Sequence, residues 1–307
     1  MGPTASGKTE LALRLADALP LDIVSVDSAL VYRGMDIGTA KPDQETLLRY
    51  PHRLLDIREP EDSYSAGDFV RDATAAMTEI RAAGRVPLLA GGTMMYFRAL
   101  TRGIAQLPQA DRDIRAAIDA EAAAKGWPAL HRELAAVDRT AADRINPNDS
   151  QRIQRALEVY RTSGRTITEW HRNGKADRDA PVRFLKFGLI PPARSTLHSR
   201  IEKRLAKMLE DGFLDEVRRL RQRPGLSARS PSMRSVGYRQ LWSHLDGECD
   251  LETAVARARA ATRQLAKRQL TWLRSESGLC ALDPLEPGTI DTIVTSVEAR
   301  IGRGTAQ

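Results

Sequence analysis

Apolar residues along this chain switch between two spacings, and the alternation predicts a sheet layered with helices. Leu11, Leu15 and Ala18 recur at helical spacing, so residues 8–19 read as a helix that Pro20 stops. Ile23-Val24-Ser25-Val26 then reads as a short buried strand ending in Asp27-Ser28. A loop rich in Gly, Asp and Pro covers residues 33–42, and Arg53-Leu54-Leu55-Asp56-Ile57 is a second candidate strand. Residues 65–83 carry Phe69, Ala73, Ala76, Met77 and Ile80 on one helical stripe, with Gly84 as the stop. Val86-Pro87-Leu88-Leu89-Ala90 is a third strand and runs into Gly91-Gly92-Thr93. Strands alternating with helices predict an α/β fold with a parallel, doubly wound sheet, whose ligand edge lies at the strands' carboxyl ends.

The pattern changes over residues 107–181, which are Ala- and Arg-rich and helical throughout. Ile114, Ala117, Ile118 and Ala122 mark one helix. Ile153, Ala156, Leu157 and Tyr160 mark another, capped by Asp149 or Ser150 and ended by Gly164. This stretch is expected to be an all-helical insertion into a core made of 1–106 and 182–302. Residues 183–190 return to strand. A helix over 195–211 follows, striped by Leu197, Ile201, Leu205 and Met208 and capped by Ser195; Phe213, Val217 and Leu220 make a shorter one. Asp250 caps a long helix to about Arg274. Ile290, Ile293, Val294, Val297 and Ile301 form a last one, and residues 303–307 are expected to be a frayed tail.

Chemistry enters at the first residues. Gly2-Pro3-Thr4-Ala5-Ser6-Gly7-Lys8-Thr9 fits the phosphate-binding loop pattern G-x-x-x-x-G-K-[ST]. Gly2 and Gly7 let the backbone approach an anion, Lys8 brings a point charge, and the Thr9 hydroxyl can hold a Mg²⁺ that bridges phosphate oxygens. The helix behind the loop aims its positive end at the same place. A loop of this kind is entered from a buried strand, and here only Met1 precedes it. The carboxylate of Asp27 and the hydroxyl of Thr93 stand at neighbouring strand ends. These features establish a phosphate-containing substrate more strongly than ATP, and a small-molecule kinase or NTPase remains an alternative.

Composition narrows the class. With 28% charged and 42% hydrophobic residues, the 307-residue chain is an ordinary globular protein, and its net charge of +7 favours a polyanionic partner without requiring one. Two cysteines at unrelated positions give neither a disulfide framework nor metal-ligand spacing. With no long apolar run and no signal peptide, a cytoplasmic location is expected. On spacing alone, Arg152 and Arg155 read as a solvated face. The basic helix ending at Arg274, with Trp272 among its cations, reads equally as RNA-facing or as solvated surface.

Several blocks carry a family resemblance, in order and over nearly the whole chain. They are Gly2–Thr9, Val26-Asp27-Ser28, Val31 through Pro42, His52–Asp56, and Gly91-Gly92-Thr93 with Tyr96. Gln151-Arg152-Ile153-Gln154-Arg155, Arg234-Ser235-Val236-Gly237-Tyr238-Arg239, and Lys267-Arg268-Gln269-Leu270-Thr271-Trp272-Leu273-Arg274 match as well. Together they resemble the bacterial tRNA dimethylallyltransferases. The resemblance implies transfer of a dimethylallyl group from its diphosphate to the exocyclic amine of the adenine 3′ of the anticodon. The adenine would be turned out of its stack to be reached.

The resemblance also implies roles. Asp27 is the general base, while Lys8, the loop amides and Mg²⁺ at Thr9 neutralise the departing diphosphate. Thr93 is placed to bond the diphosphate or the leaving oxygen, and Arg239 is a candidate second cation there. Contact with tRNA is implied for Asp27-Ser28-Ala29-Leu30, Thr93, Arg115 and the three later blocks, with the insertion gripping the anticodon stem-loop. The family often has Gln where this chain has Leu30. Its members carry an apolar strand ahead of the loop, so the natural start is expected upstream of Met1, and the protein is expected to act as a monomer. The alternative acceptor, free AMP or ATP, needs neither the insertion nor the basic helix.

Overall fold

A computed structural model of the chain describes residues 1–103, 105, 107–173 and 182–304, with side chains to residue 300. The expected boundary at 106/107, the end of the insertion at 181 and the tail residues 305–307 fall wholly or partly outside the described residues. The last helix, Thr289–Gly304, runs on into the stretch expected as tail. The chain divides into two units, residues 1–100 with 183–307, and residues 101–182.

Among its described residues the larger unit holds five short strands: β1 (Leu21–Val26), β2 (His52–Arg53), β3 (Val86–Gly91), β4 (Lys186–Leu189) and β5 (Leu279–Leu282). The first sheet has the order β2-β1-β3 and the second pairs β4 with β5. Every pairing is parallel. Four of the last five residues of β1 are buried apolar or small groups, as befits a strand covered on both faces. The register sets Val26 opposite Gly91, so both strands expire together and Asp27-Ser28 faces Gly92-Thr93. Met1 lies beside β4, donating its amine to Phe187 O at 2.8 Å and accepting from Leu189 N at 2.9 Å. Burial and the nearby Lys8 push that amine down to about 5.

Two expected strands are shorter in the structure. Leu54 and Asp56 adopt φ of +66° and +52°, a left-handed conformation that ends β2 at Arg53. The chain then returns alongside the loop after β1, with Ile57 N donating to Val31 O at 2.9 Å. The strand expected over 183–190 contracts to β4. The helix expected from Ser195 begins at Arg194 behind Ala193, with no side-chain cap. Helices Met94–Arg102 and Tyr238–Leu245, and strand β5, were not expected. Asp149, rather than Ser150, caps its helix by accepting from Arg152 N.

The long loop after β1 is fastened by two buried side chains. Glu216, 2% exposed on the helix Phe213–Arg221, accepts from the backbone amides of Asp36, Ile37 and Gly38 at 2.9, 2.7 and 3.1 Å. It also accepts the Tyr238 hydroxyl at 2.6 Å, and burial together with that carboxylate pushes the phenol's pKa up. The loop sits so close that a Cβ on Gly38 would lie 2.1 Å from the Phe213 ring. At the other end the buried Lys41 ammonium bonds Tyr32 O, Asp36 and Asp56 at 3.0, 2.5 and 2.5 Å. The smaller unit has its own core, built from Ile118, Leu130, Leu134, Ile153 and Leu157.

Removing Glu216 strands three amides and a phenol. Glu216→Ala is expected to lower stability by about 3 kcal/mol or more, against about 1 kcal/mol for Tyr238→Phe. Denaturant unfolding checks this; equal losses in the two variants would show that the phenol, not the loop amides, carries the effect.

Candidate active site

The phosphate loop is shaped by close packing. A Cβ on Gly2 would meet Ser6 Oγ at 2.7 Å and Leu189 at 3.2 Å. Gly7, at φ +87°, ends the loop and starts the helix Lys8–Ala18, whose first intrahelical bond runs from Leu11 N to Gly7 O. Ala5 is also left-handed, at φ +61°. Left-handed residues alternating with ordinary ones are the backbone pattern of an anion-binding nest. Ser6 Oγ is buried and, among the described residues, has no hydrogen-bond partner. A buried orphan hydroxyl is costly, and an anion in the loop would satisfy it. Thr9 is exposed at the first helical turn.

Positive charge converges on this loop. Lys8 folds back to Pro3 O at 2.5 Å. Burial and the Arg204 guanidinium push its pKa down to about 8, opposed by the Asp27 carboxylate. Arg204 stands below the usual arginine range, chiefly through burial, again opposed by Asp27. One turn earlier on the same helix, Arg200 Nη1 lies 3.8 Å from where a Cβ on Gly7 would be. Three cations thus crowd one loop, and Arg204 makes Lys8 harder to charge. A diphosphate is the complement of such a site.

The acceptor side lies at the paired ends of β1 and β3. Asp27 Oδ1 accepts from Ala29 N at 2.8 Å and from Leu30 N at 3.4 Å. Those bonds fix the carboxylate and leave Oδ2 without a hydrogen-bond partner among the described residues. Thr93 reaches across the strand ends: its Oγ1 accepts Ser28 N at 3.0 Å and lies 3.4 Å from Ser28 Oγ. Between the two halves stands Gln269, which accepts from Thr4 N at 2.8 Å and donates to Gly92 O at 2.8 Å.

The residues expected at the site are distributed unevenly. Lys8, Asp27, Ser28 and Thr93 come together. Arg239, expected as the second cation, is exposed and makes no side-chain hydrogen bond or ion pair among the described residues, whereas Arg200 and Arg204 lie at the loop. Tyr238, expected on tRNA, is fully buried with its hydroxyl on Glu216. Ile153, Leu270 and Leu273 are core residues, Gly237 is buried, and the Gln269 amide is spent inside the protein. Lys267, Arg268, Thr271, Arg274 and Arg234 are exposed, with Ser235 and Val236 half-buried. Trp272 is partly exposed, and Arg98 lies over its ring at 5.5 Å.

In the smaller unit Arg152 and Gln151 are exposed, and Gln154 donates to Asp119 at 2.7 Å. Arg115 and Arg155 share the buried Glu158 carboxylate at 2.8 and 2.7 Å. Burial pushes that carboxyl's pKa up, but the two arginines hold it below the usual range.

Sequence reasoning missed Arg200, Arg204 and the buried role of Gln269. On a helical wheel the arginines adjoin the stripe of Leu197, Ile201 and Leu205, where polar residues ordinarily mark solvent. The one available signal is their spacing of four, which stacks them on one side of the helix.

Comparison with known proteins gives the family. The family model described as "IPP transferase" matches residues 30–276. A tRNA dimethylallyltransferase of Alkalilimnicola ehrlichii is 58% identical over 281 residues, covering 92% of this chain and 88% of the relative. One from Thioalkalivibrio sulfidiphilus is 55% identical, covering 99% and 96%. Among solved structures, the full-length tRNA isopentenylpyrophosphate transferase of Bacillus halodurans superposes with a TM-score of 0.69 at 35% identity, covering 98% of this chain and 93% of that one. A eukaryotic dimethylallyltransferase acting on tRNA shares the fold, with a TM-score of 0.78 at 23% identity over 99% of this chain and 78% of that one.

Lys8 gives the site a pH signature. A lysine ordinarily titrating at 10.5 and held here at about 8 makes the unfolded state the better proton binder between those values, so that group's contribution to stability rises with pH across the window. Diphosphate binding needs the charged form and is expected to weaken as pH rises through about 8, with proton uptake on binding. Calorimetry of inorganic diphosphate in buffers of different ionisation enthalpy reads that uptake directly; none at pH 8.5 would remove Lys8 from anion binding.

Proposed function

The chain belongs to the IPP transferase family and transfers a dimethylallyl group to tRNA; from that premise we propose how its own residues divide the work. The acceptor is the exocyclic amine of the adenine 3′ of the anticodon. The observation that carries this reading is the juxtaposition of a phosphate loop crowded by its own cations with an aspartate, at the adjoining strand end, that has one carboxylate oxygen free.

An adenine amine is a poor nucleophile, because its lone pair is delocalised into the ring. As its nitrogen bonds C1 of the dimethylallyl group, Asp27 Oδ2 accepts the proton the nitrogen must shed. The C1–O bond breaks and its electron pair leaves with the diphosphate. Lys8, Arg200, Arg204 and the amides of Gly7 to Thr9 face the charge that grows there. Thr93 holds Ser28 by its amide, and so keeps Asp27 at the strand end.

Mg²⁺ fits in one way. Among the described residues no cluster of three or more His, Cys, Asp or Glu forms a cation cage. The exposed Thr9 hydroxyl would therefore hold the ion together with the substrate's own phosphates, where it adds positive charge to the leaving group.

On the tRNA side, the exposed Lys267, Arg268 and Arg274, with Trp272 beside them, and Arg152 of the smaller unit supply phosphate contacts. No helix among the described residues is long and apolar enough to cross a membrane.

Labelled dimethylallyl diphosphate, offered with unmodified tRNA or with AMP, is expected to label tRNA alone, and Asp27→Ala to cut turnover by roughly 10²–10⁴ with tRNA affinity kept. Labelled AMP would move the acceptor to a free nucleotide; undiminished turnover in the variant would remove Asp27 from proton transfer. Lys267→Ala and Arg152→Ala are each expected to flatten the salt dependence of tRNA binding by about one unit of slope. Titrations across ionic strength measure this, and an unchanged slope would return either residue to plain solvent exposure.

A further inference from the structure

Gln269 stands where the donor half and the acceptor half of the site meet. It lies on the helix Leu251–Arg274 and is 8% exposed, although Lys267 and Arg268 just before it are in solvent. A buried amide must spend its polar atoms. Its Oε1 takes the Thr4 amide of the phosphate loop at 2.8 Å, and its Nε2 donates to the Gly92 carbonyl at 2.8 Å. One side chain therefore bonds the loop that cradles phosphate and the turn that ends β3. No other described side chain bonds both.

The contact is tight on the turn side. A Cβ on Gly92 would lie 2.6 Å from Gln269 Nε2 and 3.2 Å from Gly2 O. The glycine is needed because the amide and the loop backbone both press against it, and its φ is ordinary. The next residue, Thr93, holds Ser28 by its amide, and Ser28 adjoins Asp27. A continuous run of bonds thus joins Thr4, Gln269, Gly92, Thr93 and Ser28. The Thr4 amide is thereby turned to the protein instead of to the phosphate space. That leaves anion binding to the amides nearer Lys8.

We propose that Gln269 is a positioning residue that holds the phosphate loop in register with the strand end carrying Asp27. It thereby sets the distance between the leaving diphosphate and the base that takes the amine proton. The proposal rests on the reading of the site given above. Transfer between two bound substrates is steep in that distance, since a displacement of about 1 Å can cost on the order of 100-fold in rate. Binding of either substrate alone is not, because each half keeps its own contacts.

The test uses the full-length protein in single-turnover reactions, with enzyme in excess over tRNA and labelled dimethylallyl diphosphate saturating. That rate constant does not depend on how much of a preparation is active, so a merely structural loss leaves it unmoved. Transfer by the unmodified protein is measured first, and its absence would overturn the functional reading itself. Gln269→Met keeps the volume and loses both bonds. Gly92→Ala leaves Gln269 in the chain but displaces its amide. Both are expected to lower the single-turnover rate constant by roughly 10- to 100-fold, with the tRNA dissociation constant and its salt slope unchanged. A Gln269→Met rate equal to that of the unmodified protein, or a loss found only as weaker tRNA binding, would overturn the proposal. Hydrogen exchange supplies a reading that needs no variant: the Thr4 amide is expected to exchange more slowly than the solvent-facing loop amides, and fast exchange would deny the docking from which the argument starts.

Discussion

Like charges held out of water against one another are the constraint to which the rest of the structure answers. The Arg204 guanidinium opposes the charge on the buried Lys8, and Arg200 closes on the same loop. Such a nest is costly when empty and is relieved by an anion, so ligand binding and stability are linked through it. It persists because the elements beneath it are well packed. Arg200 and Arg204 stand on a helix anchored by Leu197, Ile201 and Leu205, and Arg204 is steadied by a bond to Thr39 O at 3.1 Å. The Asp27 carboxylate sits within the same field and partly offsets it. The Asp27 carboxylate at the strand end is thus also part of the electrostatic frame of the phosphate loop.

The acceptor half is held by different means. The position of the loop after β1 is fixed by Glu216 at Asp36–Gly38 and by Lys41 at Asp36 and Asp56. Both fasteners are buried charged side chains: Glu216 bonds three backbone amides and a phenol, and Lys41 bonds one backbone carbonyl and two carboxylates. A loop tied by polar anchors can be long and rich in glycine and still present Asp27 in one orientation. The left-handed residues Leu54 and Asp56 belong to the same arrangement, since they turn the chain so that Asp56 meets Lys41.

What was legible in the sequence is what depends on local spacing. Gly2 and Gly7, Asp27 after an apolar strand, and Gly91-Gly92-Thr93 after another are strand-end or loop signals, and the register of β1 with β3 brings them together. Arg200, Arg204 and Gln269 were not legible as parts of the site. On an amphipathic helix a polar residue beside the apolar stripe looks the same whether it faces solvent or a buried anion site. Only the tertiary neighbour decides, and that neighbour is some 200 residues away in the chain or more. Tyr238 failed in the opposite direction. Its place in a basic block drew it towards tRNA, while its ring is edge-on to Phe213 at 4.9 Å and its hydroxyl is committed to Glu216. The strand expected at 53–57 failed because apolar content alone does not reveal a left-handed backbone.

The cations of the smaller unit fall into two kinds for the same reason. Arg152 has its side chain 71% exposed and pairs with the Asp149 carboxylate at 3.5 Å, an exposed pair that salt screens. Arg115 and Arg155 are bound to one carboxylate that has no exposure at all, and Arg155 is further held by Pro108 O at 2.8 Å. Two guanidiniums and one carboxylate leave a net charge of one. That trio contributes less to long-range attraction than its two arginines suggest. It contributes more to shape, because the guanidinium planes are fixed before any ligand arrives and the side-chain ordering has already been completed in folding. Counting basic residues treats the two kinds as equal. Their burial and their partner separate an exposed surface charge from charges that the fold has fixed.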